Sequence, residues 1–174
     1  MKSKVVRFPR LIDEDTELSP PISPQEDTRQ TIESFLWTYE SLDKHLTHEK
    51  TMQDLDQLMS TLQTIKGFIA AAVANATSGM TMQTSGGNAN FDIEVAAAAN
   101  AEVIKAKLEA MDALGFSGKE HVEDILITLD SQYHLIRLYK KDPSIFIYLA
   151  LDKSSSNLAL ARRTLLKAEE SLDF

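Results

Sequence analysis

Apolar side chains occupy both the odd and the even positions of one stretch near the end of the chain, Ser144 to Leu151, which reads Ser-Ile-Phe-Ile-Tyr-Leu-Ala-Leu. Successive side chains of a strand point to opposite faces, so both faces of this stretch must be covered. Pro143 stands directly before it, where a strand tolerates the missing N–H. The pattern predicts the central strand of a sheet that has helices above and below.

Two stretches before Gly67 carry apolar residues at the spacing of an amphipathic helix. The first extends over residues 24–46 and begins at Ser23 to Glu26, where an N-cap serine precedes a proline and a carboxylate. The second follows a predicted break at Thr47 to Lys50 and starts with a capping box of Thr51 and Asp54. Two helices therefore precede the first strand.

The rest of the pattern predicts a hairpin, a long helix, three strands and a last helix. These elements are, in order, strands at 68–74 and 80–84, a helix over 91–114, strands at 122–130, 133–139 and 144–151, and a helix over 154–172. Short gaps between the last three strands suit hairpins. The predicted class is α+β, with a five-stranded and mainly antiparallel sheet. On the last helix, the side chains expected to point outward are Arg162, Arg163, Lys167 and Glu169.

The long helix has three stripes at 100° per residue. The stripe expected to face the sheet is Ile93, Ala97, Ala101, Ile104, Leu108 and Met111, and a second stripe is mostly charged. The third, which we call the alanine seam, is Ala96, Ala99, Val103, Ala106, Ala110 and Ala113. Its spacing is typical of a helix packed on another helix, and its small side chains allow a close approach. The alternative is that alanine is simply the best helix former and tolerates exposure.

Composition adds little chemistry to this picture. The 174 residues include 18 basic and 26 acidic side chains, and the resulting net charge of −8 argues against nucleic acid as the main partner. Without cysteine, the chain has no disulfide, thiolate nucleophile or cysteine metal site. No apolar run is long enough for membrane insertion, so we expect a cytoplasmic protein. The expected organisation is a disordered tail at residues 1–23, the amphipathic helix at 24–46, and one domain at 51–174.

Several short motifs resemble functional sites, and each has a simpler structural explanation. His45, His48 and Glu49 have helical metal spacing, but they lie at the end of a predicted helix with no further ligand near them. His121-Val-Glu123 lacks the cysteines of a zinc deaminase. Gly118-Lys119 lacks the rest of a phosphate-binding loop. The loop at 85–88 is expected to be flexible rather than an anion site, and Tyr133 and Tyr139 to be ordinary strand residues rather than base-stacking ones. The sequence predicts no catalytic residue, no metal site and no cofactor.

From Thr51 onward, the order of elements resembles the roadblock/dynein light chain family. The residues that carry the resemblance are Gly67 to Val73, the turn at Ser78-Gly79, the alanine-rich helix, and Asn157 to Arg162 at the start of the last helix. The resemblance implies a five-stranded sheet with the long helix on one face and two helices on the other, so the helix at 24–46 is extra. It also implies a dimer in which the long helices lie side by side and edge strands pair, here through residues 122–130.

Members of this family are non-catalytic scaffolds or regulators, and bacterial ones often act on Ras-like GTPases. The resemblance therefore implies a homodimeric module, and not an enzyme, that binds or regulates a small GTPase. The expected dimer interface is Ala99, Val103, Ala106, Ala110, Ile125, Leu126 and Ile127, the last three forming an exposed apolar edge. The expected partner surface is centred on Ala96, Ala99 and Asn100. The alternative is a ligand-sensing or scaffold domain of profilin-like outline without a GTPase partner.

The sequence allows two interpretations of the function of the extra helix at residues 24–46. Its apolar positions indicate that it docks onto its own domain or that of a partner chain, or that it captures another protein. The residues expected to make this contact are Ile32, Phe35, Leu36 and Tyr39.

Overall fold

The computed structural model describes residues 26–89 and 91–173. It contains three helices and five strands within those ranges. In order they are α1 (Glu26–Gln63), β1 (Phe68–Asn75), β2 (Thr81–Gly86), α2 (Ile93–Ala113), β3 (Asp124–Thr128), β4 (Gln132–Leu138), β5 (Ile145–Asp152) and α3 (Leu158–Glu170). By its internal contacts the chain divides into two units, Met1–Asp43 and Lys44–Phe174, and the sheet belongs to the second.

All neighbouring strands of the sheet are antiparallel, and their order is β2-β1-β5-β4-β3. The α+β class and the five-stranded antiparallel sheet are therefore confirmed. Strand β5 lies in the middle, and every residue from Ile145 to Leu151 is buried. The predicted central strand is confirmed because apolar side chains at both parities can be accommodated only where both faces are covered.

Each face of the sheet has its own apolar cluster. On one face, Leu58 and Leu62 of α1 and Leu165 of α3 belong to a cluster with Val73 and Leu149 of the sheet. On the other face, α2 contributes Ala97, Ala101 and Ile104 to a cluster that includes Phe146 and Tyr148. The predicted sheet-facing stripe of α2 is buried except at Leu108, which is 41% exposed.

The predicted break between two N-terminal helices is wrong, because α1 continues through Thr47 to Lys50. These residues include neither glycine nor proline, so nothing in them ends a helix. Thr51 does not act as an N-cap, and its hydroxyl donates to the carbonyl oxygen of Thr47 at 2.9 Å, one turn back along the helix. A capping-box pattern therefore also occurs in the interior of a helix.

Part of the expectation for α1 falls on residues that the structure does not describe. The tail at 1–23 and the side chains of Ile32, Phe35 and Tyr39 lie outside the described residues. Leu36 is described, and its side chain is 55% exposed. Residues 43–50 are also exposed, whereas Leu55 begins the buried part of the helix.

Glu169 of α3 is 3% exposed, so the prediction that it points outward is wrong. Its carboxylate forms an ion pair with Arg137 of β4 and accepts a hydrogen bond from the Lys140 N–H at 2.9 Å. A buried carboxylate is tolerated where a cation and a backbone donor both satisfy it. Helical spacing alone could not reveal this partner, because Arg137 is on a strand distant in sequence.

Candidate functional site

The N-terminus of α2 is fixed by its cap. The Asp92 carboxylate accepts hydrogen bonds from the N–H groups of Glu94 and Val95 at 3.0 and 3.1 Å. This cap satisfies two amides that the first helical turn leaves unpaired. The helix that carries the alanine seam therefore begins at a defined residue and presents a defined face.

The alanine seam lies on the exposed side of α2 in the single chain. Ala99, Val103, Ala106, Ala110 and Ala113 are exposed, and Ala96 is half-buried beside the apolar cluster beneath the helix. Val103 is 37% exposed and is the largest side chain of the seam, while neighbouring Val95 is 65% exposed. This side of the helix therefore offers a shallow apolar surface on which another helix could pack closely.

Asn100, expected at the centre of the partner surface, is only 7% exposed. Its side-chain amide donates to the Ala96 carbonyl oxygen at 2.8 Å, and its side chain partly offsets the burial that raises the pKa of the Tyr148 hydroxyl. At 100° per residue it lies about 20° from Ile93, on the stripe that faces the sheet. This calculation could have identified Asn100 as inward-facing from the sequence. The accessible part of the expected partner surface is therefore Ala99 and the outer side of Ala96.

A chain of polar side chains continues from Asn100 into the sheet. His134 Nε2 lies 2.9 Å from Gln132 Oε1, and because the amide oxygen can only accept, Nε2 carries the proton. The Tyr148 hydroxyl then donates to His134 Nδ1 at 3.1 Å. Burial raises the pKa of Tyr148 to about 12, opposed by the hydrogen bond from Asn100, and burial lowers the pKa of His134. Tyr148 and His134 are therefore both neutral at pH 7.

The other expected interface element, β3, is an edge strand that pairs with β4 alone among the described strands. The sequence predicted that the side chains of β3 are exposed. Ile125, Leu126 and Ile127 are instead half-buried. Leu126 packs against the cluster beneath α1 and α3, and Ile125 and Ile127 pack against the cluster beneath α2. What β3 leaves open is its outer backbone edge, which can accept a further strand.

The motifs set aside in the sequence have ordinary contacts. In the loop at 85–88, the Gly87 N–H donates to Ile69 O at 3.0 Å, so this amide is not available to an anion. Tyr139 is 1% exposed and its hydroxyl donates to Leu172 O at 3.1 Å. His45 lies 3.2 Å from Glu49 on the exposed surface of α1. Among the described residues, no group of three or more His, Asp or Glu side chains is arranged to hold a metal ion.

No family profile and no curated protein sequence matches the chain. Solved structures do match its fold. MglB of Myxococcus xanthus is 12% identical with a TM-score of 0.57, over 67% of this chain and 85% of that one. A Roadblock/LC7 domain from Streptomyces avermitilis is 16% identical with a TM-score of 0.56, over 66% and 90%. The gliding protein MglB from Thermus thermophilus is 13% identical with a TM-score of 0.57, over 71% and 87%.

These likenesses give the chain a roadblock fold. The roadblock fold expected from the resemblance is thus confirmed. The sequence identities are too low to carry over any activity. None of the described helices is both long and apolar enough to cross a membrane.

Proposed function

We propose that the protein is a non-catalytic, dimeric interaction module of the cytoplasm that binds or regulates a small Ras-like GTPase. The observation that carries the proposal is the alanine seam, a largely exposed surface of small apolar side chains on the long helix of a roadblock fold. The family resemblance in the sequence supplies the class of partner. By that resemblance, bacterial roadblock dimers present the surface formed by their two long helices to GTPases.

Dimerisation is supported by two features of the chain. Small residues along α2 allow two helix axes to approach closely, and burial of Val103 would remove an apolar side chain from water. The outer edge of β3 offers main-chain donors and acceptors that another β3 strand could satisfy. Together these features favour a symmetric pair in which helices and strands both meet their counterparts.

Regulation of a GTPase would not require a catalytic group from this chain. A binding protein shifts a conformational equilibrium only by its differential affinity for the two states. The small side chains around Ala99 leave room for a mobile loop of a partner to pack against the helix backbone. We therefore expect the protein to distinguish the GTP-bound from the GDP-bound form of its partner.

The test begins with a pull-down from the native host, using the wild-type protein and an Ala99→Arg variant. Ala99 is exposed, so arginine is expected to block the surface by size and charge without unfolding the chain, and light scattering of the variant separates loss of the partner from loss of the dimer. The matched control is Ala159→Arg, the same change at an exposed position on α3. We expect wild type and control to recover a GTPase-fold protein and the Ala99 variant to lose it.

The recovered GTPase is then loaded with GDP or with a non-hydrolysable GTP analogue, and both affinities are measured by calorimetry. We expect them to differ by about tenfold or more, which corresponds to about 1.4 kcal/mol. Equal affinities, or full binding by a folded Ala99→Arg variant, would contradict the proposal.

A further inference from the structure

A groove separate from the alanine seam lies between α2, α3 and the segment that leads into β3. It has a volume of about 710 Å³. Its apolar surface comes from Met111 of α2, Leu166 of α3 and Val122 before β3, and Leu166 is 37% exposed. The groove continues past Leu108, Leu138 and Pro143 into a second open space of about 640 Å³. These apolar side chains offer contacts to an apolar side chain of a peptide, which a small ion could not use.

Arg137 lines both parts of the groove and is held in place from behind. Its side chain is 13% exposed, and its Nε donates to Glu169, which the Lys140 N–H also holds. The two terminal nitrogens of the guanidinium make no hydrogen bond with described residues, and neither is fully buried. The side chain therefore presents a pre-oriented pair of donors to the groove, the geometry that binds a carboxylate through two hydrogen bonds.

The charge around the first part of the groove is opposite in sign to that of the whole protein. Its lining contains four cations, Lys107, Arg137, Arg162 and Arg163, and two carboxylates, Glu123 and Asp124, while Arg137 is also paired with Glu169. Arg162 already binds Asp124 at 2.6 Å. Lys107 and Arg163 are exposed and form no ion pair with any described residue. On a chain with a net charge of −8, these two unpaired cations favour negatively charged groups at this part of the groove.

We infer that this groove binds an acidic segment of a partner protein, one that carries both carboxylates and at least one apolar side chain. Arg137, with Lys107 and Arg163, receives the carboxylates, and Met111, Val122 and Leu166 receive the apolar side chain. A phosphate or nucleic acid would leave the apolar surface of Met111, Val122 and Leu166 unused. This site shares no residue with the alanine seam, whereas Val122, Glu123 and Asp124 belong to the stretch 122–130 that is expected to pair in the dimer.

The probe is a fluorescent peptide, Glu-Leu-Glu-Glu-Leu-Glu, compared with the same peptide in which every Glu is Gln. Anisotropy titrations use the whole 174-residue chain at low salt. We expect the acidic peptide to bind about tenfold more tightly than the Gln peptide and to weaken as salt is raised. Lys107→Glu and Arg163→Glu are each expected to weaken it by about tenfold, because a cation becomes a like charge. The control is Lys66→Glu, the same change at an exposed lysine outside the groove.

Arg137→Lys tests the paired donors separately, since it keeps the charge and removes the planar fork. We expect weaker binding of the acidic peptide with an unchanged affinity for the Gln peptide. Thermal melting of each variant establishes that the fold is retained.

Three results would overturn the inference. The first is the absence of binding by the acidic peptide, or equal binding of both peptides. The second is unchanged binding by folded Lys107→Glu and Arg163→Glu variants. The third is displacement of the peptide by inorganic phosphate but not by sodium chloride of the same ionic strength, which would identify a general anion site.

Discussion

Gly86 and Gly118 both have a positive φ, of 77° and 73°, but their surroundings differ. A Cβ atom on Gly86 would overlap the carbonyl oxygen of Ile69 in the neighbouring strand, whereas a Cβ on Gly118 would have no atom within 4 Å. We expect Gly118→Ala to lower the free energy of unfolding by about 1 kcal/mol, the cost of a left-handed conformation. Gly86→Ala should lower it further because the backbone must also move. Urea denaturation would measure both, and equal losses would contradict the expectation.

Glu169 and Glu170 are adjacent on α3 but differ in burial. Glu169→Ala would leave Arg137 without its partner and the Lys140 N–H without its acceptor. Removing one member of a buried pair is strongly destabilising, so we expect a loss of about 3 kcal/mol in the free energy of unfolding. Glu170 is exposed and forms no ion pair with described residues, so Glu170→Ala should change stability little. Similar losses from the two variants would indicate that the ion pair does not stabilise the fold.

His134 should make the stability of the domain depend on pH. Burial lowers its pKa in the folded protein below the ordinary value of 6.5, so the unfolded chain binds a proton more readily. The stability that neutral His134 contributes is complete above pH 6.5 and falls as the pH drops below it. His134→Gln should therefore flatten the dependence measured by urea denaturation between about pH 7.5 and about pH 5. His121→Gln is the control, because His121 is exposed; equal flattening by both would contradict this assignment.

At the scale of elements, the substitution Met52→Pro distinguishes one continuous helix from two. With a break and an N-cap at Thr51, residue 52 would be the first helical position, where proline is tolerated. In the continuous α1, proline removes a hydrogen bond and clashes with the preceding turn, at a cost of about 3 kcal/mol. We expect Met52→Pro to reduce the circular dichroism signal at about 222 nm relative to Met52→Ala. The same signal in both variants would favour the two-helix interpretation.

α2 combines in one element the functions of core helix and candidate interface. One stripe places Ala97, Ala101 and Ile104 in the core, while the alanine seam remains exposed. The buried Asn100 lies between them and donates to the Ala96 carbonyl oxygen of its own helix. A substitution on the seam therefore changes the outer surface of α2 without removing a core side chain, which makes the seam suitable for mutational tests.

At the scale of the whole molecule, we expect a homodimer that depends on the alanine seam. Val103→Glu would place a carboxylate between two helices and so weaken the association. Light scattering at micromolar concentration should give twice the chain mass of 19.4 kDa for wild type and a shift towards that mass for the variant. Leu160→Glu is the matched control, because Leu160 is 60% exposed on α3. A wild-type monomer, or an equal effect of both substitutions, would contradict a dimer through this surface.

The order and type of most elements follow from the sequence by itself. Apolar residues at both parities identify β5, turn residues identify the β1–β2 hairpin, and the stripe from Ile93 to Ile104 identifies the buried side of α2. These signals are local, because the period of a helix or strand and the burial of its apolar face leave a direct pattern. The continuity of α1 was missed because a capping-box pattern is also compatible with a helix interior.

The tertiary structure decided which polar residues are buried and which surfaces form sites. The Arg137–Glu169 pair joins a strand to a helix far along the chain, and the Tyr148–His134 hydrogen bond joins two strands. The groove beside Arg137 exists only because α2, α3 and the approach to β3 meet at one edge of the sheet. Periodicity determines which face of an element is apolar. Which polar group meets which across the fold depends on the packing of elements, and no local pattern encodes it.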